Sequence, residues 1–149
     1  MRQVQASITL PMPPGEVLDV FTRQEHLKAW WNVSTSQIDL KRGGIFCLVW
    51  QTRNDCVDYV TTGIVKEYLP ECQLVVENMT YINPQRGIFG PMELSVFVTP
   101  EDDNTTSLTV VQSGYKKGPD WDWYYEAVKR AWPQALEMVK DYLSSLLVK

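Results

Sequence analysis

The chain is poor in the side chains that hold zinc: one histidine, His26, and three cysteines, Cys47, Cys56 and Cys72, in 149 residues. The cysteines are odd in number and lack CxxC spacing, so neither a zinc site nor a disulfide framework is expected. No histidine lies at a spacing that would activate a thiol, and the three read as structural. Positive charge is equally thin. The formal net charge is −4 and the sequence pI about 5.0, with basic residues in ones and twos (Lys41-Arg42, Lys116-Lys117, Lys129-Arg130). Nucleic acid is therefore not expected as a partner, because neutralised phosphate supplies most of that affinity. Long apolar runs are missing too: nothing approaches the roughly 20 residues a membrane span needs. The start, Met1-Arg2-Gln3-Val4-Gln5, shows no signal-peptide core, and the expected compartment is the cytoplasm. On that expectation the sequons at Asn32, Asn78 and Asn104 are chance matches. A phosphate-cradling Gly-rich loop, a G-x-S-x-G elbow and an H-E-x-x-H segment are all lacking, and no cofactor or metal is expected.

What is present is globular. The chain is 44% hydrophobic and 21% charged, without repeat or composition break, which predicts one domain over residues 1–149. A domain of this length buries roughly 70% of the surface its unfolded chain exposes, enough for a substantial core.

Val4, Ala6, Ile8 and Leu10 alternate with Gln3, Gln5, Ser7 and Thr9, the period of a half-buried strand. Pro11-Met12-Pro13-Pro14-Gly15 ends it and suits the first turn of a short helix over 14–22. A second short helix is expected from Gln24, with Leu27, Trp30 and Trp31 on one face. Strands then follow in a meander: Ile45–Thr52 after Gly43-Gly44, a turn at Arg53-Asn54-Asp55, Val57–Tyr68, a turn at Leu69-Pro70-Glu71, and Leu74–Tyr81. A breaker-rich loop, Asn83 to Gly87, leads to Met92–Thr99, the acidic turn Glu101 to Asn104, and Thr105–Gly114. After Gly118-Pro119-Asp120 the period becomes helical, with Trp121, Tyr125, Val128, Trp132, Leu136, Val139, Leu143 and Leu146 along one stripe. Asp120 and Asp122 suit the start of that helix, and Pro133 is expected to kink it or begin a second segment.

This order predicts an α+β fold in which a curved antiparallel sheet of six or seven strands lays its apolar face on a long C-terminal helix, with two short helices after the first strand. A curved sheet and a straight helix do not fill the space between them, so an internal cavity is expected. Several segments carry a family likeness: Glu25-His26-Leu27-Lys28-Ala29-Trp30-Trp31, Gly43-Gly44-Ile45-Phe46, Gly63 to Pro70, Thr106 to Val110 with Ser113-Gly114-Tyr115, and Trp132-Pro133-Gln134-Ala135-Leu136. In these the chain resembles the START/SRPBCC superfamily of helix-grip proteins, in particular the homologues of the activator of the heat-shock chaperone ATPase. The resemblance implies a hydrophobic cavity between sheet and helix that receives lipids, polyketide-like or other aromatic molecules. It also raises a heat-shock chaperone as a partner, and a homodimer.

Six tryptophans and seven tyrosines provide contact area with polar handles. The cavity candidates are Trp31, Trp50, Tyr59, Met79, Met92, Gln112, Trp121, Tyr125 and Trp132, with Trp123 also near the helical wall. Phe46, Leu48 and Trp50 share one side of their strand, while Ile45, Cys47 and Val49 share the other; both sides are apolar and either can be the concave one. Gln112 follows Leu108 and Val110 on one face, so a buried amide there needs a partner in protein, water or ligand. Glu77 and Glu93 read as solvated, and His26 as a surface residue. Three functions follow: binding of a small hydrophobic or aromatic molecule, a chaperone-interaction module, and an enzyme such as a cyclase or hydrolase using the same cavity.

Overall fold

A computed structural model describes residues 2–51 and 58–147. Its strands are β1 (Gln3–Leu10), β2 (Thr35–Ile38), β3 (Ile45–Trp50), β4 (Tyr59–Leu69), β5 (Gln73–Asn83), β6 (Gly87–Pro100) and β7 (Thr106–Ser113). The helices are α1 (Pro14–Asp19), α2 (Gln24–Trp31) and α3 (Pro119–Leu147). All seven strands join one antiparallel sheet in the order β1-β7-β6-β5-β4-β3-β2. The expected helix-grip architecture is present, with β2 as a short edge strand.

Alternation decides which face each strand buries. Thr106, Leu108, Val110 and Gln112 of β7 point inward, as do Met92, Leu94, Val96 and Val98 of β6 and Phe46 and Leu48 of β3. Against them α3 buries Tyr124, Val128, Trp132, Ala135, Leu136, Val139 and Leu143. A small corner of α1 and α2 closes one end: the Trp30 indole donates to the Val20 carbonyl (2.8 Å), and His26 Nδ1 meets the Tyr142 hydroxyl of α3 at 2.6 Å. His26 is thus half-buried at a helix–helix contact and not the free surface residue expected.

The sheet bends at its register shifts, between Thr62 and Ile64 of β4 and on either side of Met79 in β5, since an extra residue on one strand increases local twist. Gly63 sits at that bend, where an added Cβ would lie 2.5 Å from Val76 Cγ1 and 3.2 Å from the Glu77 carbonyl. Gly63→Val is expected to lower the unfolding free energy by about 1–3 kcal/mol through overpacking, read as a lower urea midpoint at unchanged m-value.

Besides strand ends that shift by one or two residues, three expectations change. Helix α1 ends at Asp19 and not at Thr22, because Val20 and Phe21 bond back to Val17 and Leu18 in a tight turn that buries both side chains. Strand β6 begins at Gly87, ahead of the expected Met92: Ile88 and Phe89 pair with Ile82 and Tyr81, and the register shift absorbs Gly90 and Pro91. Helix α3 is one element through Pro133, whose ring lies on the exposed side where water can satisfy the freed carbonyl, so no second segment begins there. The expected turn at Arg53-Asn54-Asp55, the strand ends at Thr52 and Val57, and Cys56 lie outside the described residues. No helix among the described residues is long and apolar enough to cross a membrane.

Candidate functional site

Between the concave face of the sheet and α3 lies a cavity of about 360 Å³. Two aromatic walls form it. On one side Trp31, at the end of α2, stacks on buried Trp30 (4.7 Å between ring centroids, 7°) and meets Trp50 edge-on (5.2 Å, 84°) and Trp132 obliquely (5.6 Å). The Trp50 indole donates to the Trp31 carbonyl at 3.0 Å, fixing β3 against α2. On the other side Tyr59, Tyr81 and Tyr124 lie ring by ring at 6.0 and 5.3 Å and within 20° of parallel, continuing to Phe89 at 4.5 Å. Tyr59 is 40% exposed and stands at the entrance. Thr61, Met79 and Leu94 form the floor, and Ala127, Ala131 and Ala135, spaced by one turn each, form the helix side.

A buried polar relay crosses this space. The Trp132 indole donates to Gln112 Oε1 (2.9 Å), and Gln112 Nε2 donates to the Tyr124 hydroxyl (3.1 Å) and faces Met92 Sδ at 3.6 Å. The expected need of Gln112 for partners is met by protein. Burial pushes the Tyr81 phenol up to about 12 and the Tyr124 phenol upward as well, the latter opposed by the Gln112 amide. Both remain protonated donors at neutral pH. Among the described residues the lining carries no carboxylate, imidazole, amine or thiol.

The cavity brings together Trp31, Trp50, Tyr59, Met79, Gln112 and Trp132 of the candidates, with Trp123 at its edge beneath the Arg86 guanidinium (4.2 Å). It resolves the ambiguity of β3 in favour of Phe46, Leu48 and Trp50. Three candidates fall outside the lining. Met92 is buried behind Gln112. Trp121, in the first turn of α3, packs edge-on to Phe89 (5.3 Å) and Tyr115 (6.3 Å). Tyr125 lies on the β1 flank of the helix against Tyr115 (5.2 Å), with the Arg2 guanidinium 4.8 Å above its ring. Arg2 also donates to Asp122 (2.8 Å) and to the Lys116 carbonyl (2.6 Å), which pins β1 to the start of α3. The helix therefore turns residues 124, 127, 128, 131, 132 and 135 to the cavity. Tyr124 was hidden among four aromatics in five positions, and the alanines gave no signal at all.

Elsewhere, Glu93 pairs with Lys66 at 3.1 Å across the sheet's outer side, and Glu77 is half-buried outside the lining. Burial raises the Cys47 thiol, and Cys72 is exposed. Among the described residues no cluster of His, Cys, Asp and Glu is arranged to hold a metal ion.

Residues 11–144 match the family described as "Activator of Hsp90 ATPase homolog 1-like protein". Among solved structures the chain is similar to protein MLL2253 of Mesorhizobium loti, at 21% identity and TM-score 0.73 over 97% of this chain and 98% of that one. It is also similar to a protein solved as the Aha1 dimer of Colwellia psychrerythraea (17%, TM-score 0.71, 96% of each chain). A third is CalU16 of Micromonospora echinospora (17%, TM-score 0.67, 95% of this chain and 74% of that one). At such identities the likeness is one of fold. Comparison with curated proteins finds none that matches.

Proposed function

We infer the function from one premise: this chain belongs to the Activator of Hsp90 ATPase homolog 1-like family, within the START/SRPBCC helix-grip superfamily. We propose that residues 1–149 act as one START-like domain that binds a small hydrophobic or aromatic molecule in the cavity between sheet and α3. The observation that carries this is the cavity itself, about 360 Å³ walled by tryptophans and tyrosines, with no formal charge on its described lining. Pockets for small organic ligands have this size and character, and a few placed polar groups set orientation. A hydroxyl-and-amide lining is weaker support for cyclase or hydrolase chemistry, which needs a group matched to proton transfer near neutral pH.

The test follows thermal stability and tryptophan fluorescence against fatty acids, sterols, flavonoids and polycyclic aromatics. A ligand at a hundred times its Kd adds about 2.7 kcal/mol of native-state stability, a melting-temperature rise of roughly 5–10 °C for a domain of this size. One chemical class is expected to give a saturable shift that Trp31→Ala abolishes while the fold survives. No shift with any class would overturn the reading and favour association with a heat-shock chaperone, the alternative suggested by the family's description. The dimeric relative makes a homodimer a further proposal, checked by light scattering.

A further inference from the structure

We propose that the molecule bound here is an uncharged aromatic compound bearing a hydrogen-bond acceptor, such as a ring carbonyl, and that the Tyr124 hydroxyl donates to that acceptor. The proposal rests on the ligand-binding reading and adds the polarity of the site.

The polarity follows from one donor-only group. An indole N–H donates and never accepts, so the Trp132 contact at 2.9 Å requires the oxygen of the Gln112 amide to face it. The amide nitrogen must then face Tyr124, and it carries only donors. Of the two ways a hydroxyl and an amide can meet, only amide N–H to phenol oxygen remains at the 3.1 Å contact. The phenol oxygen is therefore occupied as an acceptor, and the Tyr124 proton points away from Gln112. Among the described residues no acceptor receives it. Both Gln112 and Tyr124 line the cavity, Gln112 is 3% exposed and Tyr124 6%. A buried hydroxyl proton without a partner is costly, and a ligand acceptor relieves that cost where a ligand donor would face a second donor.

Charge selects further. The described lining offers no counter-ion for a carboxylate or an ammonium group, and a charge moved from water into such a space is strongly penalised. A neutral molecule with one acceptor and large apolar faces meets every wall.

Three tricyclic probes of nearly equal size separate the possibilities: fluorene, with no polar group; fluorenone, with a carbonyl acceptor; and carbazole, with an N–H donor. Their affinities are measured by tryptophan quenching on the full chain and on Tyr124→Phe. The expected result is that Tyr124→Phe lowers the fluorenone-to-fluorene affinity ratio about 3- to 10-fold, the worth of one net hydrogen bond, and leaves carbazole within about twofold. A second variant, Trp132→Phe, keeps Tyr124 but frees the Gln112 amide to reverse and accept the Tyr124 proton. It is expected to lower the same ratio, which cancels any change in cavity size, and it carries the test alone if Tyr124→Phe does not fold. An unchanged ratio in the variants, or carbazole bound more tightly than fluorenone by the native chain, overturns the proposed polarity and leaves the cavity reading standing. Failure of all three probes to bind overturns this inference, while the ligand-binding reading falls only if the fatty acids, sterols and flavonoids also give no shift.

Discussion

Trp132→Ala is expected to lower the unfolding free energy by about 3–5 kcal/mol, the range for removing a large buried aromatic. Domains of this kind are stable by only about 5–15 kcal/mol. Two losses combine. The indole is 6% exposed and packs against Trp31, so its removal merges the space it fills with the existing cavity. It is also the donor that satisfies Gln112 Oε1. Trp132→Phe separates the two by keeping most of the ring: one side of the Gln112 amide then has no partner whichever way it turns, at a cost of about 1–3 kcal/mol. Gln112→Leu orphans the Trp132 N–H and costs a similar amount. The double variant Gln112→Leu/Trp132→Phe leaves no orphan on either residue, so it should be less destabilised than the sum of the two by about 1–2 kcal/mol. Urea denaturation of the four proteins measures this directly. Strict additivity would mean that the relay between β7 and α3 contributes no coupling.

The sequence was legible where one face of an element is wet. In β1 the alternation of Val4, Ala6, Ile8 and Leu10 with polar residues is reproduced in burial, and in β7 the same rule turns Leu108, Val110 and Gln112 inward. Strand β3 was silent because Ile45, at 45% exposure, is as apolar as buried Phe46 beside it, and hydrophobicity alone does not make a residue inward-facing. Along α3 the period gave the helix but left its rotation open by about one residue, since aromatics at 121, 123, 124 and 125 offer an apolar face in several directions. That rotation is settled at long range, by Arg2 and Tyr115 holding the Tyr125 flank against β1. The relay was half legible: a glutamine on an apolar face announces that it needs partners, but Trp132 and Tyr124 lie 20 and 12 residues away. Least visible were the alanines. Alanine is the best helix former, and a helix shows it for that reason alone; here its contribution is the side chain it lacks.

That missing volume makes Ala127→Trp the variant with the largest expected effect on binding: a loss of more than about 100-fold, or 2.7 kcal/mol, with the fold intact. Ala127 is half-buried and lines the cavity between Trp123 and Ala131, one turn away on either side. Long helical side chains turn back over the preceding turn, and at position 127 that turn carries Trp123 and Tyr124, both in the lining. A new indole therefore enters the space that a ligand needs. Its lower helix propensity costs at most about 0.7 kcal/mol, and burying a large apolar ring returns about 1.5–3 kcal/mol, so melting should change little or rise. Ala135 would be a poorer site: at 6% exposure it is already enclosed, and overpacking there would confuse lost binding with lost folding. Met138→Trp, at a position 44% exposed and outside the lining, is the matched control and should bind as the native chain does. Fluorenone titration compares the three. If Ala127→Trp binds as tightly as Met138→Trp, the ligand sits somewhere other than the space between sheet and helix, and the aromatic walls are core packing.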